Sequence, residues 1–146
     1  MRDISLLSAE FRPKAIELIK RLETDILWTS QGYRPLILET LRDLSTQMAY
    51  YSRSRMRYAD VKAMFKAAKL WDITEAESEK ASTWTLASKH IEGKAIDIAP
   101  SKDGINPDWK ADLSLWRKIG YHASDLGLDW GGDWKNRDNP HVEMRS

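Results

Sequence analysis

The chain has 146 residues and 16.9 kDa, with 42% hydrophobic and 31% charged residues, which suits one globular domain and is too short for two. Its 23 basic and 22 acidic residues leave a net charge of +1, so no global basic field marks a nucleic-acid binder. The absence of cysteine excludes disulfides, thiolate metal sites and a cysteine nucleophile, and leaves His and carboxylate to hold any transition metal.

The first ten residues lack the apolar core of a signal peptide, and nowhere do enough apolar residues run together to span a bilayer. The expectation is a protein made in the cytoplasm, with no stable membrane insertion. Phe11, Ala15, Leu18, Ile19 and Leu22 fall at helical spacing and predict an amphipathic helix over 9–24, with Pro13 tolerated in its first turn. Gln31, Gly32 and Tyr33 form a turn, 35–41 reads as a strand, and 44–52 returns to helix. A basic run (Arg53, Arg55, Arg57) follows, read as a solvated helix end in preference to a patch for an anionic wall or lipid surface. Val61, Met64, Phe65 and Ala68 then make one apolar stripe, so 58–79 is expected to be a helix docked on the domain.

Residues 75–85 are polar and loop-like or weakly helical, 95–99 alternate as a strand, and 101–109 form a loop. Leu113, Trp116, Ile119, Ala123 and Leu126 mark a last helix stopped by Gly127, and a short strand at 141–144 closes the chain. Helices and strands mix without a βαβ rhythm, which indicates an α+β domain with a small antiparallel sheet and flanking helices.

Only three histidines are present. His90 and Asp97 stand seven residues apart and converge if the chain turns or bulges at Gly93. The Asn139-Pro140 turn can bring Asp138 beside His141. Two imidazoles and one carboxylate make a three-ligand zinc site with an open position for water, and a second carboxylate near that water would take its proton. Singly, each of these signals is ordinary: a lone histidine is usually packed or exposed, and Asp-Asn-Pro is usually a turn.

Their joint arrangement resembles the zinc D-Ala-D-Ala carboxypeptidase and L-alanyl-D-glutamate endopeptidase family, which includes VanY-type enzymes and phage endolysins. Ser88, His90, Gly93, Ala95 and Asp97 match the family's Ser-x-His-x-x-Gly-x-Ala-x-Asp, and Asp138 precedes His141 by three. Arg42 followed by Gln47 resembles the family's upstream arginine element, with Arg34 the alternative arginine. Residues 128–134 resemble its Gly- and Trp-containing stretch. The spacing between Arg42 and His90 exceeds that of compact phage members, and against that family 58–79 looks like a helical insertion that either covers the active site or decorates the fold.

The resemblance implies a hedgehog/DD-peptidase-like fold, with Zn2+ held by His90, Asp97 and His141. It implies Asp138 as general base and Arg42 as the group that stabilises the oxyanion. Ser88, Gln47, Glu143 and Trp134 are candidates for substrate contact or for supporting the ligands. His122 is read as an ordinary helix residue beside Ile119 and Ala123. Of the seven tryptophans, Trp130 and Trp134 flank the suspected site, whereas Trp116 is core.

The implied activity is hydrolysis of a peptidoglycan stem peptide, with the L-alanyl-D-glutamate bond as first choice. A D-Ala-D-Ala carboxypeptidase or dipeptidase, or a non-catalytic wall-binding protein of the same fold, is the alternative. A phage or prophage endolysin of this kind would be a monomer without a nucleic-acid partner. It would wait in the host bacterial cytoplasm until a holin lets it reach the periplasmic wall.

Overall fold

Strand β2 (Ala95–Ser101) carries both the core and the site. Ile96 and Ile98 are fully buried in the main apolar cluster, while the period of two turns Asp97 to the opposite face. The computed structural model describes residues 1–83 and 85–146; Trp84, counted among the tryptophans above, lies outside the described residues. β2 is flanked by β1 (Arg34–Glu39) and β4 (His141–Met144), and β3 (Leu128–Trp130) completes an antiparallel sheet of order β1-β2-β4-β3. This is the expected α+β architecture.

Helices α1 (Arg12–Thr24) and α6 (Leu113–Asp125) cover the core face of the sheet. Phe11, Leu18, Leu22 and Trp28 meet Ile96, Ile98, Ile119 and Val142 there, and burying each large side chain contributes roughly 1.5–3 kcal/mol. The Trp28 indole donates to the Leu115 carbonyl at 3.0 Å, so its one polar atom is satisfied in the core. Trp116 is buried in the same cluster, as its helical spacing suggested.

Asp25 caps the short helix α2 (Ile26–Ser30) through the Leu27 amide. It also holds His122 at 2.7 Å and Lys118 at 3.4 Å, tying α2 to α6. Burial alone would raise the Asp25 pKa, but the hydrogen bonds with His122 and the α2 amides, together with Lys118, leave it below its ordinary value.

Helix α3 (Leu44–Ser52) has the predicted bounds, and α4 (Tyr58–Ala67) packs against it. Val61 and Phe65 from α4 join Ala49 and Ile73 in a second buried cluster, with Trp71 edge-on to Phe65 at 5.0 Å. Helix α5 (Glu75–Ser78) starts on a capping box between Thr74 and Glu77 and is all that becomes helical within 75–85 among the described residues. The arginine run is absorbed locally: Arg53 donates to the Glu77 carbonyl, Arg55 lies over the Tyr51 ring, and Arg57 pairs with Asp60.

Two strand ends depart from expectation. β1 ends at Glu39, not residue 41, because the Thr40 amide donates to the Met1 carbonyl and the Arg42 amide to His90. β2 runs on to Ser101, paired with Arg34. Helix α2 and strand β3 are too short to leave a periodic signal, and their tertiary contacts sustain them.

Candidate metal centre and active site

Three short segments bring the site together. The first is the turn before β2, which passes so close to the N-terminal segment that a Cβ on Gly93 would lie 2.9 Å from the Ser8 amide nitrogen. The same glycine has φ +68°, so both space and backbone require it, and the Ser8 amide donates to its carbonyl at 2.9 Å. This turn delivers His90. β2 delivers Asp97 and β4 delivers His141, which pairs directly with Asp97 across the sheet.

One oxygen of Asp97 stands 3.2 Å from His90 Nε2 and 3.2 Å from His141 Nδ1, and three such donor atoms lie within 4.8 Å of one another. The remaining ring nitrogens are spoken for. His90 Nδ1 is 2.9 Å from the Thr40 carbonyl, and His141 Nε2 is 2.8 Å from Glu143 Oε1. Both partners accept, so those nitrogens carry a proton, and His90 Nε2 and His141 Nδ1 are the ring nitrogens that face Asp97. A buried set of two imidazole nitrogens, each ring oriented by an outer partner, and one carboxylate has the donor chemistry of a zinc site. The residues present therefore fit the metal.

The electrostatics agree with the geometry. Burial would raise the Asp97 pKa, yet the hydrogen bonds from His141 and His90 hold this carboxyl well below the usual range. For His141, burial opposes the charged ring, but Asp97 and Glu143 outweigh it and push the pKa up to about 9. Burial also opposes charge on Glu143, which nevertheless lies below its ordinary value because His141 and Lys89 face it, Lys89 at 3.0 Å.

Asp138 lies on the loop before β4, with one oxygen 3.9 Å from His141 Nδ1 and its side chain half-exposed. Desolvation at the cleft wall and the negative charge of Asp97 raise its pKa. That loop leans on Gly131, whose carbonyl accepts from the Asp138 amide at 2.9 Å, and a Cβ on Gly131 would fall 2.4 Å from the Asp138 carbonyl oxygen. The Asn139 carbonyl also accepts from the Trp130 indole at 2.6 Å.

The cleft above these groups measures about 520 Å³ and is bordered by Arg42, Thr83, Thr85, Ser88, Asp138 and Trp134. Trp134 is partly exposed, with its ring centroid 5.0 Å from that of His141. Ser88 lines the cleft and its hydroxyl accepts from the His90 amide. Gln47 is fully buried and does not border the cleft. It accepts from Arg42 Nη1 at 2.6 Å and donates to the Thr85 carbonyl at 2.6 Å. Arg34 sits at the far end of β1 against Lys102 and Gly104. His122 is on α6 with Asp25, outside the cleft lining, and no described residue of 58–79 borders the cleft.

The sequence analysis passed over the Thr40 carbonyl, Glu39 and Lys89. A main-chain carbonyl leaves no residue-type signal, but Lys89 and Glu39 stand beside the motif residues and were open to notice.

Residues 81–144 match a family described as D-alanyl-D-alanine carboxypeptidase. Over 123 residues the chain is 41% identical to the peptidoglycan L-alanyl-D-glutamate endopeptidase CwlK of Bacillus subtilis (strain 168), covering 79% of this chain and 63% of that protein. Over 71 residues it is 37% identical to the L-alanyl-D-glutamate peptidase of Listeria phage A118, covering 47% of this chain and 25% of that protein. The chain thus spans less than two thirds of either relative. Its fold is that of VanYB in complex with D-alanine-D-alanine, with a TM-score of 0.54 at 19% identity, covering 96% of this chain and 72% of that one. A VanY D,D-pentapeptidase mutant in complex with Zn(II) gives a TM-score of 0.51 at 15% identity, covering 94% of this chain and 72% of that one.

Residues 81–144 thus match the D-alanyl-D-alanine carboxypeptidase family, and the chain is similar to L-alanyl-D-glutamate peptidases of a bacterium and a phage.

Proposed function

We propose that the chain is a zinc-dependent peptidase that hydrolyses the L-alanyl-D-glutamate bond of peptidoglycan stem peptides. One observation carries this reading: His90 Nε2, an Asp97 oxygen and His141 Nδ1 converge, with the opposite ring nitrogens tied to Thr40 and Glu143. The names of the Bacillus and Listeria phage relatives support the choice of bond.

His90, Asp97 and His141 would hold the zinc, which supplies a Lewis acid and lowers the pKa of water from 15.7 to about 7. Asp138 accepts a proton from the attacking water and returns it to the leaving amine; its raised pKa suits both halves of that task. Arg42, on the same cleft, meets the negative charge that grows on the scissile carbonyl oxygen. Ser88 and Trp134 offer a hydroxyl and an aromatic face to the peptide.

The likeness to a phage peptidase supports a role as an endolysin. Such a protein would be made in the host cytoplasm and reach the wall once a holin opens the membrane; among the described residues no helix is long and apolar enough to cross a membrane itself.

Mass spectrometry of purified muropeptides after digestion tests the reading. The expected product carries a new D-glutamate amino terminus and disappears with a chelator. Release of terminal D-alanine instead would make the protein a carboxypeptidase, the reading that the family's description favours. Intact muropeptides would leave a wall-binding protein.

A further inference from the structure

Regular antiparallel pairing from Ile37 opposite Ile98 would set Leu38 opposite Asp97 and Glu39 opposite Ile96. A β-bulge intervenes, and Glu39 pairs with Asp97. The extra residue thereby moves Glu39 from the register of a fully buried core isoleucine to that of the proposed zinc ligand. A carboxylate beside Asp97 is repelled unless a cation answers it, and Arg42 is that cation.

The Glu39 carboxylate grips Arg42 in a fork: one oxygen accepts from Nε and the other from Nη2 at 2.8 Å. Gln47 accepts from Nη1 at 2.6 Å. The pair is largely buried, with side chains only 11% and 18% exposed. The arginine main chain is fixed as well, since its amide donates to the His90 carbonyl at 3.1 Å. A guanidinium has five N–H donors, and these contacts engage three. Two remain for a ligand in the cleft that Arg42 borders.

We propose that Glu39 is the positioning residue for Arg42, holding the guanidinium in a single orientation with two free N–H groups for the substrate's oxyanion. The inference rests on the peptidase reading for its catalytic consequence and on the fork itself for its structural part. A long, rotatable arginine reaches an oxyanion by many rotamers; locking it beforehand removes reorganisation at the moment of reaction. Glu39 touches no substrate and acts through Arg42.

The test uses the zinc-loaded full chain and two independent readouts. On a purified stem peptide, Glu39→Gln should stay folded and retain zinc, with a lowered melting temperature from the broken buried pair. Its kcat should fall by about 10²-fold with KM little changed, the scale expected when a catalytic group is misplaced. In an Arg42→Ala background the same substitution should cost nothing more. Equal losses in both backgrounds would make Glu39 merely structural and overturn the proposal, as would unchanged kcat in Glu39→Gln.

The second readout needs no substrate. In the nitrogen-resolved NMR spectrum, wild-type Arg42 should show an Nε–H and separate Nη–H resonances, because the fork stops rotation about Cζ–Nε. Glu39→Gln should collapse the Nη signals. If wild type cuts no stem peptide, the peptidase reading fails, and this spectrum alone decides the role of Glu39: unchanged Arg42 resonances overturn it. Should Glu39→Gln fail to fold, Glu39→Asp keeps the charge, withdraws the carboxylate by one methylene and is read in the same way.

Discussion

The main-chain carbonyl of Thr40, just past the end of β1, accepts the Nδ1 proton of His90 at 2.9 Å. It thereby turns Nε2 toward Asp97 from a position fifty residues away in the chain. Glu143 does the same for the other ring from the opposite edge of the site.

Outer partners of this kind can be separated from the ligands by metal content. His90→Ala should bind no zinc. Asp138→Asn should keep one zinc per chain and lose most hydrolysis, because an amide accepts no proton from the water. Glu143→Gln should weaken zinc binding by roughly 10–100-fold, the usual effect of removing the partner of a ligating histidine. Elemental analysis of the three purified variants checks all of this, and equal zinc loss in the His90 and Asp138 variants would make Asp138 a ligand.

Gly131→Ala places a methyl group 2.4 Å from the Asp138 carbonyl and 3.1 Å from the His141 Cβ. The 138–141 loop must shift, so activity should drop by at least an order of magnitude while the core strands stay protected. Hydrogen exchange with activity assays on one sample reads both. Full activity in this variant would show that the loop has more slack than its contacts suggest.

Acid sensitivity should trace in part to Asp25. Its folded pKa lies below the unfolded one, so its stabilisation is present above the ordinary pKa of 3.8 and is lost as pH falls through the folded value. Asp25→Asn removes the charge facing His122 and Lys118 and should cost about 1–3 kcal/mol at neutral pH. The loss should shrink in the acid limb, where Asp25 itself is protonated. Urea unfolding at stepped pH values from neutral downward measures the difference; a pH-independent gap would rule out an ionic origin.

Phe65 is 1% exposed in the second cluster, away from the cleft. Phe65→Ala should destabilise the chain by about 3–5 kcal/mol and loosen the 58–79 segment. Zinc affinity should be nearly unchanged. Thermal unfolding and a zinc titration separate the two effects.

The sequence spoke most clearly where chemistry demands fixed spacing. His90, Asp97 and His141 stand out because a motif needs those residue types at those intervals, and the fold brings their side chains together. α1 and α6 were visible because each buries an apolar stripe. What escaped was set by pairing between distant segments. No local pattern in β1 announces the bulge that turns Glu39 toward Asp97, and His122 meets Asp25 across 97 residues. Gln47 was noticed, but its burial as a brace under Arg42 depends on how α3 packs.

The three proposed ligands come from a turn, a central strand and the last strand, so a cation held there fastens together stretches of chain that separate on unfolding. Binding to the folded form alone stabilises by mass action, about 2.7 kcal/mol at a free concentration one hundred times Kd. Zinc supply would then govern how long the protein survives as well as how fast it works. A metal-starved cell would hold a pool that is both idle and short-lived, and a metal-replete one a pool that lasts.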